Sequence, residues 1–463
     1  MALTLRAALV VVGAFRMHTK ASFIRSNFPG LVIIVAGTTA VTAQEALDTA
    51  IRGDRSEQAR QLAAAPSDTS PERLRAGPVE FNIGLSYGLE YTDNVRNTSS
   101  PREEDFIQRP QVNFSGFLPI TDTGRLTLGF GVGYADYFKN NDLDRLYFSP
   151  NSELAYDFSV KDFRFTIFES FDYSYDVDGV GAVAGVSQLP RFQNSVGIRA
   201  LWAPSEWSYQ AGYSHNNYIT QSGSSQETDF GYLDRSAEQV FGRVAYSFAP
   251  ATRVGLEVSA GLTDYSSEAQ ADNLNTSIGP FVEWQVIESL TVTLRGGFTY
   301  YSFDATREST NSAPIRPALP ERTLESYYAG FSVNHKLTDF ITHGVSANRS
   351  IQAGVNQGAD YIETTSVDYR IGWQATDKLN VGLNLTYGHG AEPQTEVTVV
   401  GTNVVILLGE EVYDTYRGGV SASYRITQRL TSSVNYSHSR RVSNGDRRNY
   451  FVNRVSIGLG YQF

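Results

Sequence analysis

Strict alternation of apolar and polar residues limits what this chain can fold into more than any other feature of its sequence. The clearest segment runs from Leu379 to Gly388, where Leu, Val and Tyr alternate with Asn, Gly and Thr. Successive side chains of an extended strand point to opposite faces. One face of each strand is therefore apolar and the other polar, as in a sheet that separates hydrocarbon from water.

The same alternation recurs from Val79 to the C-terminus. Further segments begin at Phe81, Leu126, Val254, Leu290 and Val455. The chain contains 27 Tyr, 26 Phe and 40 Gly, a composition typical of barrel strands with aromatic residues towards lipid and small residues towards the lumen. Beyond the N-terminal region no apolar run reaches the roughly 18 residues of a membrane helix, which excludes a helical membrane protein.

The connections between segments alternate between short and long, which favours a membrane barrel over a soluble sandwich. Short turns are predicted near 121–124, 160–162, 203–205, 249–251, 287–289, 337–339, 376–378 and 426–428. Longer polar loops are predicted at 92–105, 139–146, 176–190, 220–233, 266–273, 305–322, 352–360, 391–412 and 442–447. Eight turns and nine loops join eighteen strands, an even number as in bacterial barrels.

We therefore predict an all-β fold, a closed antiparallel transmembrane β-barrel of about 18 strands over residues 79–463. Closure is required because an open sheet edge in hydrocarbon leaves backbone groups unpaired. Weak alternation at 162–175 and 339–351 leaves sixteen or twenty strands as alternatives. Short turns on the periplasmic side would place both termini in the periplasm of the bacterial outer membrane.

The N-terminal region has the features of an export signal. A short apolar run at 31–43 follows basic residues and ends in Val-Thr-Ala, the small residues that signal peptidase recognises. This predicts a signal peptide over 1–43, and a start at Met17 would give a leader of ordinary length. Helical spacing followed by a Pro- and Ser-rich stretch predicts a periplasmic helix or linker over 44–78.

The face opposite the aliphatic residues carries many charges. The predicted basic residues of the lumen wall are Arg295, Arg370, Arg417, Arg425 and Arg454. The predicted inward acids are Glu90, Glu153, Asp157, Asp172, Glu257, Glu283 and Asp368. Several of the arginines fall on neighbouring hairpins, which predicts a cationic wall that guides anionic solutes. The alternative is that these charges pair with one another and stiffen the wall.

Composition excludes several classes of function. The chain has no Cys, so it has neither disulfides nor thiolate metal sites. Its formal net charge of −11 argues against nucleic acid as a partner. The histidines are His18, His215, His335, His343, His389 and His438. None lies in a metal-spaced motif such as HExxH, and we expect no metal site, no cofactor and no enzymatic activity.

The last strand ends in an alternating segment from Gly458 through Tyr461 to the terminal Phe463. This ending resembles the C-terminal signal by which the barrel assembly machinery recognises outer-membrane proteins. The resemblance implies that this machinery is a partner during biogenesis. Outer-membrane lipid and lipopolysaccharide would then surround the mature barrel.

The leader, the eighteen predicted strands and this ending together resemble the outer-membrane β-barrel porin families of Proteobacteria, including barrels associated with exopolysaccharide export. The resemblance implies an outer-membrane channel. Its first implied function is a passive conduit for exopolysaccharide, with the polysaccharide and periplasmic export components as partners. The alternatives are a diffusion or substrate-selective porin for small anionic solutes, constricted by loop 305–322 or 391–412, and a structural or adhesive surface barrel.

Overall fold

A computed structural model of the protein describes residues 74–175, 188–221, 230–268, 270–306, 319–356, 359–400, 403–445 and 448–463. The predicted signal peptide over 1–43 lies outside the described residues, as does most of the 44–78 segment. No helix long and apolar enough to cross a membrane is found among the described residues.

The described residues form nineteen strands, of which the first is a short strand that pairs with the start of the second. The strands are β1 (Leu74–Ala76), β2 (Val79–Thr92), β3 (Asp105–Thr121), β4 (Gly124–Tyr137), β5 (Arg145–Val160), β6 (Phe163–Ser174), β7 (Arg191–Trp202), β8 (Trp207–Thr220), β9 (Arg235–Ala249), β10 (Thr252–Tyr265), β11 (Asn273–Ile287), β12 (Leu290–Phe303), β13 (Arg322–Lys336), β14 (Ile341–Ala353), β15 (Tyr361–Gln374), β16 (Leu379–Val400), β17 (Asn403–Arg425), β18 (Leu430–Ser443) and β19 (Tyr450–Gln462). Short 3₁₀ turns lie at Asn141–Leu143 and Gly231–Leu233.

The eighteen strands from β2 to β19 form one closed antiparallel barrel, as predicted. Each strand pairs with the next along the chain, and the last pairs with β2 from Arg454↔Thr92 to Gln462↔Gly84. The eight predicted turns all connect strands at one end, which we call the turn side, and the opposite end is the loop side. The weakly patterned segments form β6 and β14, so eighteen is the correct strand number.

One predicted loop is wrong. The segment 391–412 continues the β16–β17 hairpin, with pairing that extends to Val400↔Asn403. This stretch is rich in Val, Ile and Thr, whose branched side chains favour extended backbone. The polar residues between them suggested a loop. The strand propensity of the branched residues and the pairing of the two segments with each other keep the backbone extended instead.

Large apolar side chains lie exposed on one face of most barrel strands. On β2 these are Tyr87 and Leu89, and the ladder places Leu459 and Ile457 of β19 opposite them on the same face. Phe298 of β12 is 78% exposed. Exposed apolar area of this extent is unfavourable in water and is matched by lipid hydrocarbon. This face is therefore the outer surface, and the opposite face lines the lumen.

Several inward aromatic rings lie flat against the wall because a glycine on the neighbouring strand leaves room for them. Phe281 of β11 is directly opposite Gly255 of β10, and the ring is 1% exposed. A Cβ atom on Gly255 would lie 2.6 Å from the Phe281 ring and 2.2 Å from the carbonyl oxygen of Val244. Phe168 over Gly197 and Phe241 over Gly212 repeat the arrangement.

We expect Gly255→Ala to destabilise the barrel by about 1–3 kcal/mol, because the added methyl group overlaps a ring and a backbone oxygen that cannot both move. Gly460→Ala is the matched control, since a Cβ atom there would meet no atom within 4 Å. The measurement is urea-induced unfolding of the refolded protein in lipid vesicles. Equal stability of the two variants would contradict the close packing of ring and glycine.

Candidate functional site in the lumen

The strand register places all five predicted lumen arginines on the inner face. Arg370 lies directly opposite Asn384, and Arg417 lies opposite Thr386, whereas their sequence neighbours face outward. Arg295, Arg425 and Arg454 occupy equivalent inward positions on β12, β17 and β19. The predicted inward acids also face the lumen, so the role of each arginine depends on its distance from a carboxylate.

Arg370, Arg417 and Arg425 have no ion-pair partner among the described residues. Asp368 lies two residues before Arg370 on the same face of β15. Its carboxylate accepts a hydrogen bond from the hydroxyl group of Thr386 at 2.8 Å. Arg370 is exposed to the lumen. An arginine remains charged at any physiological pH, so these groups give the wall a permanent positive charge.

Arg454 and Arg295 belong instead to clusters that contain a carboxylate. The Nε atom of Arg454 lies 3.7 Å from Glu90, and Arg109 approaches the same carboxylate oxygen at 3.4 Å. The Arg295 guanidinium lies over the ring of Tyr328, 6.0 Å from its centroid, and the Tyr328 hydroxyl donates a hydrogen bond to Glu257. The sequence grouped these arginines with Arg370 and Arg417, but the structure separates them by their partners.

A similar cluster stiffens the wall formed by β9 to β11. The two carboxylate oxygens of Glu283 are bound by Arg243 at 2.6 Å and by Arg253 at 2.9 Å. The Arg243 guanidinium also stacks on Phe281, 3.7 Å from the ring centroid. Charge pairing therefore accounts for the arginines of this wall.

The other wall of the lumen, formed by β14 to β19, has a different lining. Inward positions of β14 to β19 are mostly small residues: Gly344, Ser346, Gly372, Gly382, Gly419, Ser421, Ser437 and Gly458. By contrast, inward side chains in the loop-side half of β9 to β12 are enclosed by protein, and Asn275 is 0% exposed. Small residues leave space beside the guanidinium groups of Arg370 and Arg417.

Residues 354–356, at the start of the loop between β14 and β15, lie over the mouth on the loop side. Their backbone is held by Glu392 of β16, whose carboxylate accepts the N–H groups of Val355 at 2.9 Å and Asn356 at 3.0 Å. On their other side, the Tyr232 hydroxyl in the β8–β9 loop donates to the Val355 carbonyl oxygen at 2.9 Å. These two loops start six strands apart, so the contact bridges the mouth of the barrel.

A buried ionic cluster anchors this bridge to β17 and β18. Glu411 is 4% exposed, and its Oε1 atom accepts hydrogen bonds from Arg441 at 2.7 Å, from Arg448 at 2.7 Å and from Ser443 at 2.6 Å. Arg448 also donates to the side-chain oxygen of Asn356 at 3.0 Å. Desolvated charges are tolerated here because each is paired and hydrogen-bonded.

Sequence reasoning missed this loop-side site. It named the longest loops, 305–322 and 391–412, as candidates for a constriction. Much of the first lies outside the described residues, and the second is a strand hairpin. Two acidic residues, Glu392 and Glu411, could have indicated this site. They occupy inward positions of β16 and β17, which continue beyond the apolar belt.

Acidic residues of the loop-side connections next to β3 and β4 pair with basic residues. The ammonium group of Lys139 lies 2.8 Å from Glu104, and this hydrogen bond holds the pKa of the carboxyl group below its usual range. Arg96 lies between Glu103 at 2.9 Å and Asp142 at 3.3 Å. Exposed pairs of this kind contribute little stability, but they reduce the negative potential that an anion meets at the mouth.

The predicted assembly signal forms the end of the closing strand. Gly458 faces the lumen and Tyr461 faces outward, where its ring lies 4.9 Å from that of Phe463. The backbone N–H of Phe463 donates to the carbonyl oxygen of Ile83 at 3.0 Å. Recognition of these residues by the assembly machinery stays a prediction.

No protein-family model matches the sequence, and no curated protein matches it. Among solved structures, OpdK of Pseudomonas aeruginosa with vanillate is 12% identical with a TM-score of 0.41, covering 83% of this chain and 99% of that chain. OccK2 (OpdF) of the same organism is 12% identical with a TM-score of 0.43, covering 83% and 98% of the two chains. A BenF-like porin from Pseudomonas fluorescens Pf-5 is 12% identical with a TM-score of 0.45, covering 84% and 99%.

The closed barrel with its apolar outer belt is an architecture that spans an outer membrane. The likeness to these solved structures lies in the fold alone.

We expect Glu392→Ala to release residues 354–356, because the partly buried backbone N–H groups of Val355 and Asn356 lose their acceptor at a cost of about 1 kcal/mol each. Hydrogen–deuterium exchange of peptides that cover these residues should accelerate by about tenfold or more. Glu410→Ala is the matched control, since Glu410 is exposed on the outer face beside the buried Glu411. Unchanged exchange in the Glu392 variant would show that the carboxylate does not hold the loop.

Proposed function

We propose that this protein is an outer-membrane diffusion channel selective for small anionic solutes. The observation that carries the proposal is the group of three inward arginines, Arg370, Arg417 and Arg425, without an ion-pair partner among the described residues. Fixed positive charge in a narrow passage with low-dielectric walls attracts anions and repels cations. The neighbouring small residues leave room for a solute beside these charges.

The three arginines lie at different heights in the barrel. Arg425 is the last residue of β17 on the turn side, and Arg417 lies roughly 26 Å further along the same strand. Arg370 of β15 lies near the turn-side end of its own strand, between the levels of the other two. The three positive charges therefore divide the length of the barrel into shorter steps for an anion that passes through it.

The bridge over the mouth supports a small solute rather than a polymer. Exopolysaccharide export, the first function expected from the sequence, requires an opening wide enough for a continuous chain of sugar rings. The contact between Tyr232 and Val355 divides the loop-side mouth, and the buried Glu411 cluster fixes it there. A polymer conduit would need this contact to break, whereas a small anion can pass beside it.

A purely structural or adhesive barrel is the third candidate. It needs no passage, so its lumen is expected to be filled on all sides. The exposed Arg370 and the small residues around it support a passage along β14 to β19 instead. The proposal also keeps the expectation that the protein is not an enzyme.

The test is the reversal potential of single channels in a planar bilayer under a potassium chloride gradient. We expect the wild-type protein to prefer chloride, and the triple variant Arg370→Ser, Arg417→Ser, Arg425→Ser to lose this preference severalfold because the unpaired charges are gone. Arg440→Ser is the control, since Arg440 is exposed on the outer face of β18.

A wild-type channel that prefers cations, or a preference for chloride that survives the triple substitution, would overturn the proposal. Absence of conductance in correctly folded protein would also overturn it and would favour a structural barrel. Folding is checked independently by the shift in gel mobility between heated and unheated samples.

A further inference from the structure

Two histidines face each other across β13 and β14 on the outer surface. His335 and His343 are directly opposed in the antiparallel ladder, beside the tight turn that joins the two strands. The Nδ1 atom of His335 lies 2.9 Å from the Nε2 atom of His343, and the ring planes are inclined by 65°. The two imidazole nitrogens therefore face each other near the turn-side edge of the apolar belt.

This distance suits a metal ion with neighbouring ligands at right angles. With metal–nitrogen bonds of about 2.0–2.1 Å, two nitrogens 2.9 Å apart subtend about 90° at the metal. Square-planar and octahedral ions, such as Cu²⁺ and Ni²⁺, take ligands at this angle. A tetrahedral Zn²⁺ ion would need the nitrogens about 3.3 Å apart, so the rings would have to separate.

We propose that His335 and His343 form a two-histidine site for Cu²⁺ or Ni²⁺. The ring that donates the hydrogen bond between them moves its proton to its other ring nitrogen, so that both facing nitrogens offer a lone pair to the metal. Water or another oxygen ligand completes the coordination on the open side. This site is separate from the lumen and does not depend on the proposed channel function.

The site lies on a seam of the barrel that has a short ladder. Pairing between β13 and β14 runs only from Ala329↔Arg349 to Lys336↔Thr342, and β13 continues beyond it towards the loop side. A metal held by both strands adds a cross-link at the turn-side end of this seam. Binding is therefore expected to stabilise the folded barrel.

The affinity of this site for a metal ion is limited by the surroundings of the second ring nitrogen of His343. The Nδ1 atom of His343 is buried without a hydrogen-bond partner among the described residues. Metal-bound histidines usually donate their second N–H to an acceptor, which orients the ring and strengthens binding. We therefore expect micromolar rather than nanomolar affinity.

Other outward histidines have different partners. His215 binds Glu238 at 2.8 Å, His389 binds Asp414 at 2.9 Å, and His438 binds the side chain of Asn453 at 2.9 Å. Each of these presents a single imidazole. They provide controls at similar positions on the outer surface.

The experiment is titration of the refolded barrel in detergent with Cu²⁺, followed by calorimetry and by electron paramagnetic resonance. We expect one Cu²⁺ per chain with the spectrum of two imidazole nitrogens. His335→Gln and His343→Gln should each weaken binding by about tenfold or more, because one of two ligands is lost. His438→Gln should bind Cu²⁺ as the wild-type protein does.

The temperature at which the folded band disappears from a denaturing gel gives a second readout. Cu²⁺ should raise this temperature for the wild-type protein and for His438→Gln, but not for His335→Gln. The proposal fails if the wild-type spectrum lacks two nitrogen ligands, a result that does not depend on any variant folding. It fails equally if His438→Gln loses as much affinity as the other two variants.

Discussion

The ladder between β19 and β2 is the interaction on which the rest of the structure depends. Hydrocarbon offers no partner for a backbone N–H or C=O group, so a sheet that crosses it must have no free edge. Pairing from Arg454↔Thr92 to Gln462↔Gly84 removes the last edge and makes one face continuous inside and the other continuous outside. The fixed register then decides for every strand which side chains meet lipid and which meet the lumen.

The lumen is divided into two unlike walls. Along β9 to β11 the inward arginines stack on aromatic rings and bind acids, as Arg243 does with Phe281 and Glu283. Along β14 to β19 glycine and serine leave space, and Arg370 and Arg417 lack an ion-pair partner in the described part of the chain. Arginine therefore stiffens one wall, where acids and aromatic rings surround it. It gives the other wall a positive charge, where its neighbours are glycine and serine.

The loop side shows how buried charge can position a loop. Glu392 and Glu411 lie on strands that extend above the apolar belt. The carboxylate of Glu392 accepts backbone N–H groups, and that of Glu411 accepts guanidinium N–H groups. Leaving either carboxylate without donors would be costly in this enclosed setting. Residues 354–356 are consequently held over the loop-side mouth, where Val355 meets Tyr232.

Alternation and the spacing of turns in the sequence determined an antiparallel barrel of about eighteen strands with eight short turns, and they predicted the inward position of Arg295, Arg370, Arg417, Arg425 and Arg454. These features follow from a local period of two and from local turn chemistry, which a sequence displays directly. Only the tertiary structure decided that Arg454 meets Glu90, that Val355 meets Tyr232 above the loop-side mouth, and that His335 meets His343. Such contacts depend on register between strands and on loops from distant parts of the chain, and no local pattern specifies either.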